Sequence, residues 1–92
     1  MTVDYMRAAE LFDIASHPVR LRVLVELCEQ DLMVFQLVQL TGLEQSPLSQ
    51  HLKRLRDLDL VRSRRDGKNV YYSVVPGLAE KLTLFTLRNF ST

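Results

Sequence analysis

Residues 46–72, SPLSQHLKRLRDLDLVRSRRDGKNVYY, contain the strongest structural signals in this 92-residue chain. Ser46-Pro47 is a strong signal for a helix start, because a serine hydroxyl can cap backbone N–H groups and proline suits the first helical position. The pattern predicts a helix from there to about Leu58. Its apolar residues recur at helical spacing and form one stripe: Leu48, Leu52, Leu55 and Leu58.

Two β-prone runs follow this helix, at residues 60–65 and 69–75. Between them lies Asp66-Gly67-Lys68, and Asp-Gly is among the strongest signals for a hairpin turn. Alternation along the second run places Val70 and Tyr72 on the inner side. Arginine and lysine are frequent in the rest of the segment, so the sequence predicts a β-hairpin with a basic rim.

The segment before the long helix predicts a second, shorter one. Residues 35–41 suffice for two turns, and Gly42 is a natural C-terminal cap because glycine readily adopts the left-handed conformation. Leu32-Met33-Val34 is interpreted as a short extended link before it. A short helix, a turn, a capped helix and a basic hairpin, in this order, are the pattern of a winged helix-turn-helix.

Three further helices complete the prediction. The first covers residues 4–15 with Asp4 as its N-cap, the second runs over 18–29 and begins at a proline, and the last covers 78–90. The predicted fold is a single domain, residues 1–92. It is mainly α with a β-hairpin wing, a winged helix-turn-helix in the order α-α-α-α-β-β-α.

The first and last helices carry more apolar surface than the interior of a 92-residue monomer can cover. We therefore expect a homodimer in which these two helices pair across a two-fold axis. The alternative is a monomer with apolar ends. The residues expected at the dimer interface are Tyr5, Met6, Phe12, Leu82, Phe85, Leu87 and Phe90.

The net charge of +1 hides an uneven distribution along the chain. Residues 46–72 hold seven basic residues against three acidic ones, a net charge of +4, while the rest of the chain carries −3. A charge run is often only a solvated face, but this one falls on the two elements that a winged helix-turn-helix offers to a duplex. Double-stranded DNA is therefore the predicted partner.

The N-terminal half of the long helix is predicted to enter the major groove. The candidate base readers on its outer face are Ser49, Gln50 and Lys53. A glutamine amide can bond to an adenine edge and a lysine suits guanine, while the alternative for the same residues is an ordinary solvated face. Ser46 is expected to cap the helix first and to contact phosphate second.

Further basic and polar residues are candidates for contacts to the DNA backbone. Arg54 and Arg56 flank the outer face of the helix, and ion pairs to Asp57 or Asp59 are an equally good interpretation of them. In the hairpin, the candidates for phosphate or minor-groove contacts are Arg64, Arg65, Lys68 and Asn69.

Two other basic residues have both a structural and a functional interpretation. His51 lies on the flank of the leucine stripe, where a packed, hydrogen-bonded histidine is the more common outcome, but it stays among the DNA-contact candidates. Arg20 lies among apolar neighbours. It can pair with an acid or extend to a phosphate, and the structural role is slightly favoured.

The chain resembles the ArsR/SmtB-like winged-helix repressors over nearly its whole length. The likeness lies in SHPVRLR at 16–22, SPLSQHL at 46–52, and LV at 60–61 with RDGKNVYY at 65–72. The resemblance implies a dimer joined by its terminal helices that binds an inverted repeat near a promoter. Such proteins usually repress and are released by a metal, an oxidant or another signal. Asp59 departs from the family, which often has a small residue there, and this puts the local turn geometry in doubt.

No metal site and no cofactor are expected. Metal-sensing relatives have cysteines before and within the short helix, where this chain has Met33 and Phe35. Cys28 is the remaining candidate trigger, as a redox sensor, since a thiolate can be oxidised. Its acidic neighbours Glu26 and Glu29 oppose thiolate formation, so a buried core cysteine is the more ordinary interpretation.

Composition argues against several other classes of protein. No apolar run approaches the roughly 20 residues that span a bilayer, and the first residues lack the layout of a secretory signal, so a cytoplasmic protein without a membrane partner is expected. No nucleophile with a neighbouring base and acid can be named, which argues against an enzyme. The expected function is sequence-specific DNA binding by a repressor; the alternative is a winged-helix module that contacts protein or RNA.

Overall fold

The computed structural model describes all 92 residues and contains five helices and a three-stranded antiparallel sheet. In chain order the elements are α1 (Tyr5–Ala15), α2 (Pro18–Glu29), β1 (Leu32–Met33), α3 (Val34–Thr41), α4 (Gln45–Asp57), β2 (Val61–Asp66), β3 (Asn69–Val74) and α5 (Leu78–Phe90). The predicted winged helix-turn-helix is confirmed. Two local predictions also hold, because the Asp4 side chain caps α1 and Gly42 ends α3 in the left-handed conformation.

The short strand β1 was not predicted. Leu32-Met33-Val34 was interpreted as a short extended link, but Leu32 pairs with Tyr72 of β3, and Val34 already belongs to α3. Both Leu32 and Tyr72 are buried, so the pairing closes the edge of the hairpin over the core. Two residues are too few to show the alternation that identifies a strand in sequence.

The hairpin turn is tighter than the sequence predicted. Asp66 was placed in a three-residue turn, but it pairs with Asn69, which leaves Gly67 and Lys68 as the turn. Gly67 has a φ of 62° and Lys68 does not have a positive φ. A positive φ at the first turn residue alone is typical of a type II′ turn, whose twist matches that of the strands it joins.

Helix α4 begins earlier than predicted, at Gln45, with Glu44 as its N-cap. Ser46 was expected to be the cap, but it lies inside the first turn with its side chain exposed. The backbone N–H of Leu48 bonds to the Glu44 carbonyl at 3.2 Å, which fixes this start. Pro47 fits here because the N–H groups of a first turn have no partner within the helix.

The core lies between α2, α4 and the sheet. The predicted stripe of α4 is confirmed for three of its leucines, each no more than 1% exposed: Leu48, Leu52 and Leu55. They pack in one apolar cluster with residues of α2: Val23, Leu24 and Leu27. Full burial stabilises each leucine by about 1.5–3 kcal/mol, so this contact fixes the side of α4 that faces solvent.

The end of α4 leads directly into the hairpin through a Schellman motif. The N–H of Leu60 bonds to the Leu55 carbonyl at 3.0 Å, and the N–H of Asp59 bonds to the Arg56 carbonyl at 2.9 Å. Asp59 has a φ of 60°, the only positive φ of a non-glycine residue in the chain. The position that departs from the family pattern is therefore a left-handed C-terminal cap, which favours glycine.

Replacing Asp59 with glycine is expected to stabilise the protein. A left-handed backbone costs a residue with a Cβ atom about 1–2 kcal/mol, and the greater freedom of glycine in the unfolded chain offsets part of that gain. We expect a free energy of unfolding higher by about 0.5–1 kcal/mol, measured by urea denaturation. The control Arg56→Gly, within the helix, should lower it by about 1 kcal/mol. Equal effects of the two substitutions would contradict the role of Asp59.

Candidate nucleic-acid interface

The outer face of α4 presents polar side chains that the protein itself does not use. Ser49 and Gln50 are exposed, and neither side chain makes a hydrogen bond within the chain. Because the leucine stripe fixes the opposite face in the core, these groups point away from the protein on a rigid element. A glutamine amide in this setting offers one donor and one acceptor, the combination that the major-groove edge of adenine requires.

Lys53, the third predicted reader, forms an ion pair with Asp57 one turn later, with Nζ and Oδ2 2.9 Å apart. Both side chains are at least 60% exposed. Pairs of this kind on a helix surface contribute about 0.3–0.5 kcal/mol, so an acceptor on DNA can replace the carboxylate at little cost.

The two arginines beside this face differ in their surroundings. Arg54 pairs with Asp13 of α1 at 2.9 Å, not with Asp57 or Asp59, the partners that the sequence analysis considered. Arg56 is exposed and forms no ion pair. The Asp13 contact was beyond sequence reasoning, because 41 positions separate the two residues and only the packed fold brings α1 alongside α4.

The hairpin sends its basic side chains to two faces. Arg64 lies opposite Tyr71, with its guanidinium carbon 4.6 Å from the ring centre, and it pairs with Asp31 at 3.4 Å. Arg65 lies opposite Val70, on the other face of the hairpin. This second face also carries Tyr72, which belongs to the core. Val70 and Tyr72 thus point inward as predicted. At the tip, Lys68 and Asn69 are exposed and without side-chain partners.

A cluster of basic side chains joins the start of α2 to α4. The Nε–H of Arg20 donates to Nδ1 of His51 at 3.1 Å, and the ring centres of His17 and His51 are 4.4 Å apart. His17 also caps α2, since its Nδ1 accepts from the N–H of Val19 at 3.2 Å. Arg20 has no acidic partner. Sequence reasoning missed the cluster; its only local signal is the proline after His17, which fixes the start of α2.

This environment disfavours the charged form of His51. Burial lowers the pKa of the imidazole below its usual value of 6.5. Three basic neighbours lower the pKa further: His17, Arg20 and Arg54. His51 is therefore neutral at neutral pH, and its unprotonated Nδ1 accepts a hydrogen bond from Nε–H of Arg20.

Cys28, the candidate redox sensor, is half-buried between α2 and α5. Its Sγ lies 3.3 Å from Oγ1 of Thr83, a contact that the sequence did not predict. No group of three or more His, Cys, Asp or Glu side chains is arranged to hold a metal ion. None of the five helices combines the length and the apolarity that a bilayer crossing requires.

Large apolar side chains remain exposed on α1 and α5. Six of the seven residues expected at the dimer interface are in this state: Tyr5, Met6, Phe12, Phe85, Leu87 and Phe90. The seventh, Leu82, is half-buried and packs against the core. Phe12, Leu82, Phe85 and Phe90 together line a largely apolar groove between the two helices. A patch of this kind is unusual on a monomer surface.

Known proteins resemble this chain in sequence and in structure. The profile described as "Bacterial regulatory protein, arsR family" matches residues 17–63. The HTH-type transcriptional regulator Rv0081 of Mycobacterium tuberculosis is 43% identical over 82 residues, 87% of this chain and 72% of that protein. The transcriptional repressor PagR of Bacillus anthracis is 40% identical over 76 residues, 78% of this chain and 76% of that protein. HlyU from Vibrio cholerae superposes with a TM-score of 0.90 at 28% identity over all of both chains.

The lowered pKa of His51 predicts a loss of stability in weak acid. Unfolding returns the imidazole to a pKa near 6.5, so below about pH 6.5 the unfolded chain binds a proton that the folded protein resists. The free energy of unfolding should fall with pH in this range, and the melting temperature of His51→Gln should fall less than that of the unaltered protein. Thermal denaturation followed by circular dichroism measures both; parallel curves would contradict the assignment.

Proposed function

Because the chain belongs to the arsR family of bacterial regulatory proteins, we propose that it represses transcription as a homodimer bound to an inverted-repeat operator in a promoter. The chain is a DNA-binding transcriptional regulator and not an enzyme. The observation that carries the proposal is the exposed outer face of α4, where Ser49 and Gln50 make no hydrogen bond within the chain, with the basic hairpin directly after it. Its action on a promoter places it in the cytoplasm, and residues 1–92 form one DNA-binding domain.

The outer face of α4 reads bases in the major groove. Gln50 bonds to an adenine edge through both ends of its amide, while Ser49 and Lys53 bond to neighbouring base pairs, Lys53 to guanine. The surrounding residues hold the protein on the phosphate backbone or in the minor groove: Ser46, His51, Arg54, Arg56, Arg64, Arg65, Lys68 and Asn69. The absence of competing hydrogen bonds at Gln50 supports its role as a reader.

The exposed apolar faces of α1 and α5 form the interface between two copies. Phe12, Phe85 and Phe90 are each more than 60% exposed and lie around one groove, so two copies related by a two-fold axis would cover one another's rings. Each copy then presents one α4 to one half of an inverted repeat. The half-sites lie about one helical turn apart, on the same side of the duplex.

Oxidation of Cys28 would release the protein from DNA. Cys28 remains the candidate redox trigger, and its contact with Thr83 links α2 to α5, one of the two helices of the proposed interface. A peroxide would transfer one oxygen to Sγ, giving a sulfenic acid and releasing water or an alcohol. Only 3.3 Å separates Sγ from Oγ1 of Thr83, so the added oxygen would force α5 to shift.

The test is a selection of genomic fragments by the purified, reduced protein at near-physiological salt, followed by sequencing. Recovery of a few fragments that share an inverted repeat supports the proposal. Recovery of fragments without a common sequence would overturn operator binding and favour a winged-helix module that serves a protein or RNA partner.

Two alanine substitutions separate base reading from backbone binding. Gln50→Ala should weaken the binding free energy for the preferred operator by about 1–3 kcal/mol. It should change little the affinity for a duplex altered at the base pairs that Gln50 reads. Arg65→Ala should weaken binding to every duplex by a similar factor and reduce the salt dependence. Titrations of matched and altered duplexes measure both effects. A uniform loss for Gln50→Ala would contradict its role as a reader.

A charge at the apolar groove should separate the dimer. Phe85→Glu places carboxylates on both copies at the proposed interface, so light scattering should give the mass of one chain. Affinity for the full inverted repeat should fall about a hundredfold, because the two halves then bind independently. Phe35→Glu is the matched control, since Phe35 is 56% exposed on α3, outside the interface helices. A monomeric mass for the unaltered protein would refute the dimer.

A further inference from the structure

We propose that His17, Arg20 and His51 form a binding site for one backbone phosphate of the duplex, and that the site takes up a proton when the phosphate binds. The inference rests on the proposed function, because it places α4 in the major groove. It adds α2 to the DNA interface and makes DNA binding sensitive to pH near neutrality.

The site lies where a phosphate strand should pass. His51 and Arg54 share one flank of α4, between the leucine stripe and the outer face with Gln50. An α-helix with its side chains is about 10–12 Å across and the major groove is about 12 Å wide, so each flank of an inserted helix faces one of the bordering strands. The start of α2 lies against the flank that carries His51.

The three side chains offer donors and few acceptors. Nδ1 of His17 accepts from the N–H of Val19, and Nδ1 of His51 accepts from Nε–H of Arg20. An imidazole whose Nδ1 accepts a hydrogen bond carries its own proton on Nε2. The two rings lie 4.4 Å apart beside the guanidinium of Arg20, which also donates from Nη1 to the Ile14 carbonyl at 3.5 Å and has further N–H groups without a partner in the chain. All three side chains are half-buried, and their N–H donors suit an oxyanion.

The balance of charge around the site is positive. The four ion pairs of the chain include none of the three residues. The basic groups that face His51 are His17 and Arg20 of α2 and Arg54 of α4. Arg54 pairs with Asp13 of α1. Burial and this excess of positive charge lower the pKa of His51 in the free protein, and a bound anion would counter the second of these causes.

Proton uptake follows from this balance. A phosphodiester beside the cluster brings a negative charge that favours the imidazolium, so the pKa of His51 rises in the complex and the ring takes a proton from solvent. The proton binds to Nδ1, which ends the bond from Arg20 and frees that Nε–H to donate to the phosphate. Because the complex binds more protons than the free protein, DNA affinity rises as the pH falls.

The experiment measures fluorescence anisotropy of a labelled duplex of mixed sequence at constant ionic strength, from about pH 7.5 to pH 6. Affinity of the unaltered protein should rise about threefold or more over this range, with a limit of tenfold per pH unit for one proton. His51→Gln should lose most of this rise. Arg20→Gln should also reduce the slope of log affinity against log salt concentration, by the amount that corresponds to about one phosphate contact. Lys81→Gln, which removes one charge on α5, should change neither slope.

Nuclear magnetic resonance of the two histidines gives a readout that needs no substitution. The pKa of His51 should be higher with the duplex than without it. An unchanged pKa, or a pH slope that persists in His51→Gln, would overturn the inference. Selection of an inverted repeat together with an unchanged His51 pKa refutes the phosphate site and leaves the operator function intact. Proton uptake on DNA binding, together with recovery of fragments that share no sequence, supports the phosphate site and refutes the operator function.

Discussion

The burial of one face of α4 against α2 is the contact on which the rest of the structure depends. Leu48, Leu52 and Leu55 are almost completely inaccessible, and each would lose several kcal/mol if the helix rotated about its axis. That penalty fixes the orientation of the opposite face, where Gln50 makes no contact with the protein. The orientation of the outer face of α4, which is the face proposed to contact DNA, is therefore set by packing in the core.

The parts of the fold that could be predicted from the sequence are those that local patterns encode. The leucine stripe, Gly42 and the Asp-Gly turn each act within a few residues, and the structure confirms the elements they predict. Most of the errors fall where partners are distant, while those at Ser46 and at the hairpin turn are local. Strand β1 exists only because β3 lies beside it, and the cap at Ser46 failed because Glu44 could begin the helix earlier. Two side-chain contacts join separate helices, one between Arg20 and His51 and one between Arg54 and Asp13. No local sequence pattern predicts such contacts.

Three cations of the proposed interface each form a weak ion pair in the free protein. Lys53, Arg54 and Arg64 each lie beside one exposed carboxylate. In water such pairs contribute little, because solvent screens them and the side chains lose freedom. The carboxylates of these pairs offset part of the basic charge, and the net charge of the free protein is +1. Phosphates can still replace these carboxylates when DNA binds. The cluster at the start of α2 differs, since its positive groups have no acid to exchange.

The Schellman motif at Asp59 joins the recognition helix to the wing without a hinge. Two backbone hydrogen bonds and the buried side chains of Leu55 and Leu60 hold the junction rigid. In the proposed complex, the distance between the groove that α4 enters and the strand that the wing touches is then a constant of the protein. Any mismatch in helical twist or groove width must be absorbed by the duplex, at an elastic cost that depends on its sequence. Base pairs that no side chain touches would thereby contribute to the choice of operator.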